Sequence, residues 1–155
     1  RDSLYYCRDA VGVGVDISTE ALKIAEENGQ NLKITDRVEW RQGDYLKAFD
    51  EEDIFDGIFS NPPYIPTKDI GGLSREVKHE PRLALDGGTD GLYFYHLLAK
   101  GAAEHLKPGG FLAVEFGIGQ ATDILEMFRK SAQYEDFEVI KDYGGIERAL
   151  YCRKK

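Results

Sequence analysis

Short apolar runs alternate along this chain with segments of helical period, and that alternation limits the possible folds more than any other feature. Val11 to Ile17 reads as a buried strand ending in Asp16, with Ser18 placed as an N-cap and Glu20 in the first turn of the helix that follows. Ala21, Leu22, Ala25 and Leu32 share one face of that helix. Val38 and Trp40 alternate in a second strand that ends at Gly43-Asp44, and Ile54 to Ser60 forms a third, apolar and buried. From Leu92 the positions Tyr95, His96, Ala99, Ala102, Ala103 and Leu106 keep helical period until Lys107-Pro108-Gly109-Gly110 stops the helix. Phe111 to Phe116 is a near-continuous apolar run of the kind buried on both faces. A helix follows with Ala121, Ile124, Leu125 and Phe128 inward, and Phe137 to Lys141 pairs with Ala149 to Cys152 as a hairpin around Gly144-Gly145. This pattern predicts an α/β fold with a mostly parallel, doubly wound sheet and an antiparallel C-terminal hairpin at or near one edge. Ligands bind beyond the carboxyl ends of the strands in such sheets, where Asp16, Gly43-Asp44, Asn61 and Glu115-Phe116-Gly117 fall.

The 155 residues have the length of one domain, and 42% hydrophobic content suits a globular core. No apolar run is long enough to cross a bilayer, and no secretory pattern opens the chain. Cys7 and Cys152 lie outside any CxxC spacing, so a reduced, cytoplasmic setting is expected. The 28 acidic against 20 basic residues give a net charge of −8, which works against a polyanionic partner. A protein or small-molecule substrate is therefore favoured, with no direct nucleic-acid partner and no membrane. His79, His96 and His105 are not at metal-ligand spacing, so no metal centre is expected. A monomer is the default.

The densest chemistry is Asn61-Pro62-Pro63-Tyr64, directly after the third strand. Each proline fixes its own φ and pushes the preceding residue toward extended backbone, leaving Asn61 and Pro62 little freedom. Asn61 Oδ1 and the Pro62 carbonyl are then two fixed acceptors, able to grip both hydrogens of a planar NH2 group while the Tyr64 ring packs on its face. Read alone, the tetrapeptide also fits a proline-bearing surface turn. Between Tyr64 and Asp90 runs a polar stretch with Gly71-Gly72, Pro81 and Gly87-Gly88, and a loop of that length inside a domain is usually functional.

Gly12-Val13-Gly14-Val15-Asp16 tempts a dinucleotide fingerprint, but Ile17 stands where the third glycine belongs and a strand surrounds the motif. Asp16 reads better as a strand-end acid accepting the two hydroxyls of a ribose, or as a helix N-terminal carboxylate favouring the dipole. Asp44 reads as an acceptor for an adenine amino group, or as a simple loop carboxylate. With Ile17, Gly43, Tyr45 and Asn61 they make a candidate cofactor-binding set.

This constellation resembles the Rossmann-like methyltransferases that use S-adenosylmethionine, whose amino- and amide-nitrogen branch carries Asn-Pro-Pro-Tyr. Leu73-Ser74-Arg75-Glu76-Val77, Glu80-Pro81-Arg82-Leu83-Ala84-Leu85, Gly87-Gly88-Thr89-Asp90-Gly91-Leu92 and Tyr95 look like the HemK/PrmC family. Glu115-Phe116-Gly117 with Gln120, and Asp142 with Gly145 and Arg148, fit its later blocks. The resemblance implies methylation of the glutamine in the Gly-Gly-Gln motif of peptide chain release factors, with S-adenosylhomocysteine as product. It implies catalysis by Asn61, Pro62, Pro63 and Tyr64, with Glu80 and Pro81 joining Asn61, Pro62 and Tyr64 at the substrate. Residues 1–155 then read as the catalytic domain, incomplete at the front. The family's glycine-rich loop and helical N-terminal domain would precede a helix around Ser3-Leu4-Tyr5-Tyr6. Two other classes share the signature: a methyltransferase acting on adenine or guanine amino groups, which would stack a flipped base on Tyr64, and a non-catalytic binding module of the same fold.

Overall fold

The computed structural model describes residues 7–72 and 81–155. The expected helix around Ser3 to Tyr6, the block from Leu73 to Val77, His79 and Glu80 lie outside the described residues. The fold is α/β, in two compact units, Arg1–Asp50 and Glu51–Lys155. The first holds β1 (Gly12–Asp16), α1 (Thr19–Asn31) and β2 (Val38–Gln42). In the second, β3 (Phe55–Ser60), α2 (Tyr93–Gly101), β4 (Leu106–Glu115), α3 (Ala121–Lys130), β5 (Tyr134–Lys141) and β6 (Glu147–Lys154) follow in order.

In the first unit β1 and β2 pair in parallel, Gly12 opposite Val38 through Asp16 opposite Gln42. Ser18 caps α1 as expected, its hydroxyl accepting from the Ala21 N–H at 3.2 Å. Gly14 sits opposite Trp40, and a Cβ there would lie 2.3 Å from the indole ring. The glycine that mimics a nucleotide fingerprint is instead the seat of an aromatic side chain. Gly14→Ala should force that ring to move and cost about 1–3 kcal/mol. Trp40 is the chain's only tryptophan, so the displacement should appear as a red-shifted emission together with an earlier urea midpoint. Unchanged emission would mean the ring has room to spare.

The second unit's sheet has the order β3-β4-β6-β5. β3 and β4 are parallel, and β6 runs antiparallel to both of its neighbours. The hairpin thus inserts its second strand beside β4 and leaves β5 at the edge. β5 starts at Tyr134, earlier than expected, because a register shift around Asp136 (φ 52°) lets the strand continue through it. One face of the sheet carries Ile58, Leu112, Val114, Leu150 and Cys152, all buried, with Tyr95 and Leu98 of α2 and Ile124 and Phe128 of α3 completing the core. Burial pushes the Cys152 thiol up to about 12, which leaves it unreactive at neutral pH. No helix among the described residues is long and apolar enough to cross a membrane.

Further expectations change. His96 is exposed, and Leu98 takes the inward position instead, because the face of α2 turned to the core runs through Tyr95, Leu98 and Ala99. Lys107-Pro108-Gly109-Gly110 does not end that helix. A 3-10 turn, Ala102–His105, intervenes, and the four residues form an excursion inside β4, where Phe55 pairs with Leu106 and Gly57 already with Phe111. Proline and a glycine at φ +75° are tolerated there because the excursion asks for no regular ladder bond. The third and fourth strands are not buried on both faces: Phe59 is 65% exposed, and Phe111 is half-buried. That face is knitted by aromatics, Phe59 edge-on to Phe111 at 5.2 Å and Phe111 stacked on Tyr151 at 5.8 Å, with Gly57 making room beneath Phe111.

Candidate active site

At the carboxyl end of β1, Asp16 is exposed, and its Oδ1 accepts the Ser18 N–H at 2.8 Å. The Gly43 N–H donates to the Asp16 carbonyl at 3.0 Å, which carries the chain leaving β2 past the end of β1. Gly43 is tight: a Cβ would meet that of Ala48 at 2.4 Å, closing the 3-10 turn Tyr45–Ala48. Tyr45 takes a positive φ of 60°, and Asp44 precedes it, exposed and paired with Lys47 at 2.6 Å. Surface pairs of this kind are worth little, so Asp44 can exchange Lys47 for a ligand donor. The second Asp16 oxygen takes no hydrogen bond among the described residues, and Ile17, 48% exposed, offers an apolar face beside it. This end of the first unit suits a ribose with an attached base.

In the second unit Asn61 follows β3 at the same edge as Glu115 of β4, since Ser60 lies opposite Val114. Asn61 is exposed and its amide takes no hydrogen bond among the described residues. Pro62 is fully buried, while Pro63 and Tyr64 are half-buried. The tetrapeptide is thus anchored by its first proline and leaves its amide outward.

The long loop folds back on this anchor. Ile65 forms a parallel bridge with Asp86, its N–H donating to the Leu85 carbonyl at 3.1 Å and its carbonyl accepting from Gly87 at 2.9 Å. A Cβ at Gly87 would lie 2.8 Å from the Pro63 carbonyl oxygen, one at Gly91 2.4 Å from that of Tyr64, and one at Gly117 2.8 Å from the Tyr64 ring. Three glycines from two turns therefore form the bed of the tetrapeptide. Pro81 is exposed and opens the 3-10 turn Arg82–Ala84, and the loop reaches the tetrapeptide through residues 85–91. Behind the site Tyr95, fully buried, donates its hydroxyl to the Glu115 carbonyl at 2.9 Å.

Asp86 ties the loop together. It accepts from the Thr67 hydroxyl at 2.6 Å, the Gly88 N–H at 3.1 Å and Arg82 Nε at 3.4 Å. The Thr67 bond foremost, then the Gly88 N–H, hold its carboxyl below the usual carboxylate range. Because the folded value is the lower one, this contribution to stability is whole above the unfolded pKa and disappears as pH falls through the folded value. The stability gap between wild type and Asp86→Asn should accordingly be clear at about pH 6 and smaller at about pH 3. Urea unfolding at both pH values measures it, and an equal gap at both would assign the loss to shape instead of charge.

Residues 4–69 match a family model described as "RMKL-like, methyltransferase domain". The release factor glutamine methyltransferase of Moorella thermoacetica is 40% identical over 151 residues, 97% of this chain and 53% of that protein. Its counterpart from Bradyrhizobium diazoefficiens is 46% identical over 146 residues, 94% of this chain and 48% of that protein. By sequence, the chain belongs to the release factor glutamine methyltransferase family. It spans about half the length of the curated relatives it matches. Among solved structures, a methyltransferase from Pyrococcus furiosus superposes with a TM-score of 0.65 over 92% of this chain and 61% of its own, at 24% identity, a likeness of fold.

Family resemblance drew attention to Gly87, Gly91, Gly117 and Gln120 in the sequence without giving them a role. Their role lies in contacts with Pro63 and Tyr64, 24 to 56 positions away, which no local pattern announces.

Proposed function

We propose that this chain is the catalytic part of an S-adenosylmethionine-dependent enzyme that methylates the side-chain nitrogen of the Gly-Gly-Gln glutamine in peptide chain release factors, in the cytoplasm. One observation carries the reading: Asn61 leaves β3 with its amide exposed and without a hydrogen bond among the described residues, on a buried proline, in a chain of this family.

When bound, S-adenosylmethionine supplies a methyl group on a positively charged sulfur. Asp16 would hold the ribose hydroxyls, Asp44 the adenine amino group, and Ile17, Gly43 and Tyr45 would shape the space around them. A carboxamide nitrogen is a poor nucleophile because its lone pair is delocalised into the carbonyl, so orienting it is most of the work. Asn61 Oδ1 and the Pro62 carbonyl accept its two hydrogens, and Tyr64 walls the amide plane. As positive charge grows on the nitrogen both bonds strengthen, which stabilises the transition state over the ground state. The nitrogen then releases a proton to water, since an asparagine amide is no base.

The test is mass spectrometry of the Gly-Gly-Gln peptide from a release factor incubated with the intact protein and S-adenosylmethionine. One added methyl on the glutamine side chain is expected. An unmodified glutamine with methyl transferred to adenine or guanine instead would overturn the substrate class, and no transfer to either would point to a binding module.

A further inference from the structure

We infer that Gln120 is a positioning residue for this site, one whose side-chain amide locks the Tyr64 segment, the Gly87–Gly91 turn and the β4–α3 turn into a single unit. The inference rests on the reading of Asn61 to Tyr64 given above.

Gln120 occupies the N-cap of α3, yet its side chain makes no capping bond. Glutamine is not among the residues favoured at that position, where a short Ser, Thr, Asp or Asn reaches back to the first helical N–H groups. Its side chain goes elsewhere. Nε2 donates to the Tyr64 carbonyl at 3.0 Å and to the Gly91 carbonyl at 3.4 Å, while Oε1 accepts the Gly117 N–H at 2.9 Å. Two carbonyls on one side and an N–H on the other settle which end of the amide is nitrogen. The three partners come from three separate segments. Two of them, Gly91 and Gly117, are glycines that press on Tyr64 itself. The amide thus sets the height of the Tyr64 carbonyl while Gly117 supports its ring, and the ring is the wall against which the substrate amide is aimed.

No other common side chain reproduces this pattern. A carboxylate at position 120 keeps the bond from Gly117 but faces two carbonyl oxygens with no donor. Asparagine is a methylene too short, and an apolar residue leaves all three backbone groups without their partner.

Two variants separate positioning from mere support of α3. Gln120→Met should lower kcat about tenfold or more, in line with the cost of small misplacements at a reacting centre, with the KM for S-adenosylmethionine within about twofold. Gln120→Glu should be equally impaired at about pH 8 and should recover, relative to wild type, as pH falls toward about 5.5. There a protonated carboxyl regains one donor. Hydrogen exchange gives a readout independent of activity: the Ile65 and Gly87 amides should exchange faster in Gln120→Met while amides deep in β4 keep their protection. Unchanged exchange at Ile65 and Gly87 would overturn the proposal. So would wild-type kcat in Gln120→Met, or a Gln120→Glu to wild-type rate ratio that stays flat with pH. If wild type itself leaves the glutamine unmethylated, the functional reading fails, and the exchange pattern still decides whether Gln120 holds this segment.

Discussion

Asn61→Ala is expected to lower methyl transfer to the release factor glutamine about a hundredfold, the order lost when one preorganised hydrogen-bonding group is removed from a transition state. Overall stability should stay where it is. Asn61 is exposed and bonds to nothing among the described residues, so the variant leaves no buried partner unsatisfied. The backbone should also hold its course, because the buried Pro62 and the bridge from Ile65 to Asp86 anchor it. Single-turnover rates at saturating substrate, beside a thermal unfolding curve, make the measurement. A rate within about threefold of wild type would remove Asn61 from the chemistry and leave the Pro62 carbonyl as the sole candidate acceptor. A fall in rate with a matching fall in stability would make Asn61 structural.

How far the sequence revealed this arrangement depends on the range of the forces involved. Local signals served well: the Ser18 cap, the parallel strands ending in Asp16 and at Gly43, and the placement of Asn61 immediately after β3 follow from patterns a few residues long. Signals that depend on a partner strand did not. Gly14 and Gly57 look like breaks in apolar runs, and only pairing with Trp40 and Phe111 explains them as seats for aromatic rings. Lys107 to Gly110 has the composition of a helix stop, yet its place opposite Asp56, with Lys107 bonded to that carboxylate at 2.7 Å, makes it a strand irregularity. The candidate site shows the same division. The tetrapeptide is legible as four adjacent letters, while the bed beneath it comes from Gly87, Gly91, Gly117 and Gln120, which are brought there only by the fold.

That bed supplies the second large effect. Gly91→Ala should destabilise the protein by about 3 kcal/mol, the sum of two separable costs. The backbone at Gly91 has φ +78°, a conformation that costs a residue with a Cβ about 1–2 kcal/mol. The new methyl would also lie 2.4 Å from the Tyr64 carbonyl oxygen and 3.2 Å from its carbon. These are backbone atoms that cannot swing aside, and overpacking of this kind costs about 1–3 kcal/mol. Gly119 supplies the internal control, with φ +85° but nothing within 4 Å of the point an added methyl would occupy. Gly119→Ala therefore bears the conformational cost alone and should lose about half as much, leaving methyl transfer intact. In Gly91→Ala the strain falls on the residue that closes Asn-Pro-Pro-Tyr, so activity should drop further than the loss of folded protein accounts for. Paired urea titrations and rates per folded molecule test this directly. Equal losses in the two variants would show that the Tyr64 backbone yields, and that the tetrapeptide's position owes more to its own prolines than to the glycines beneath it.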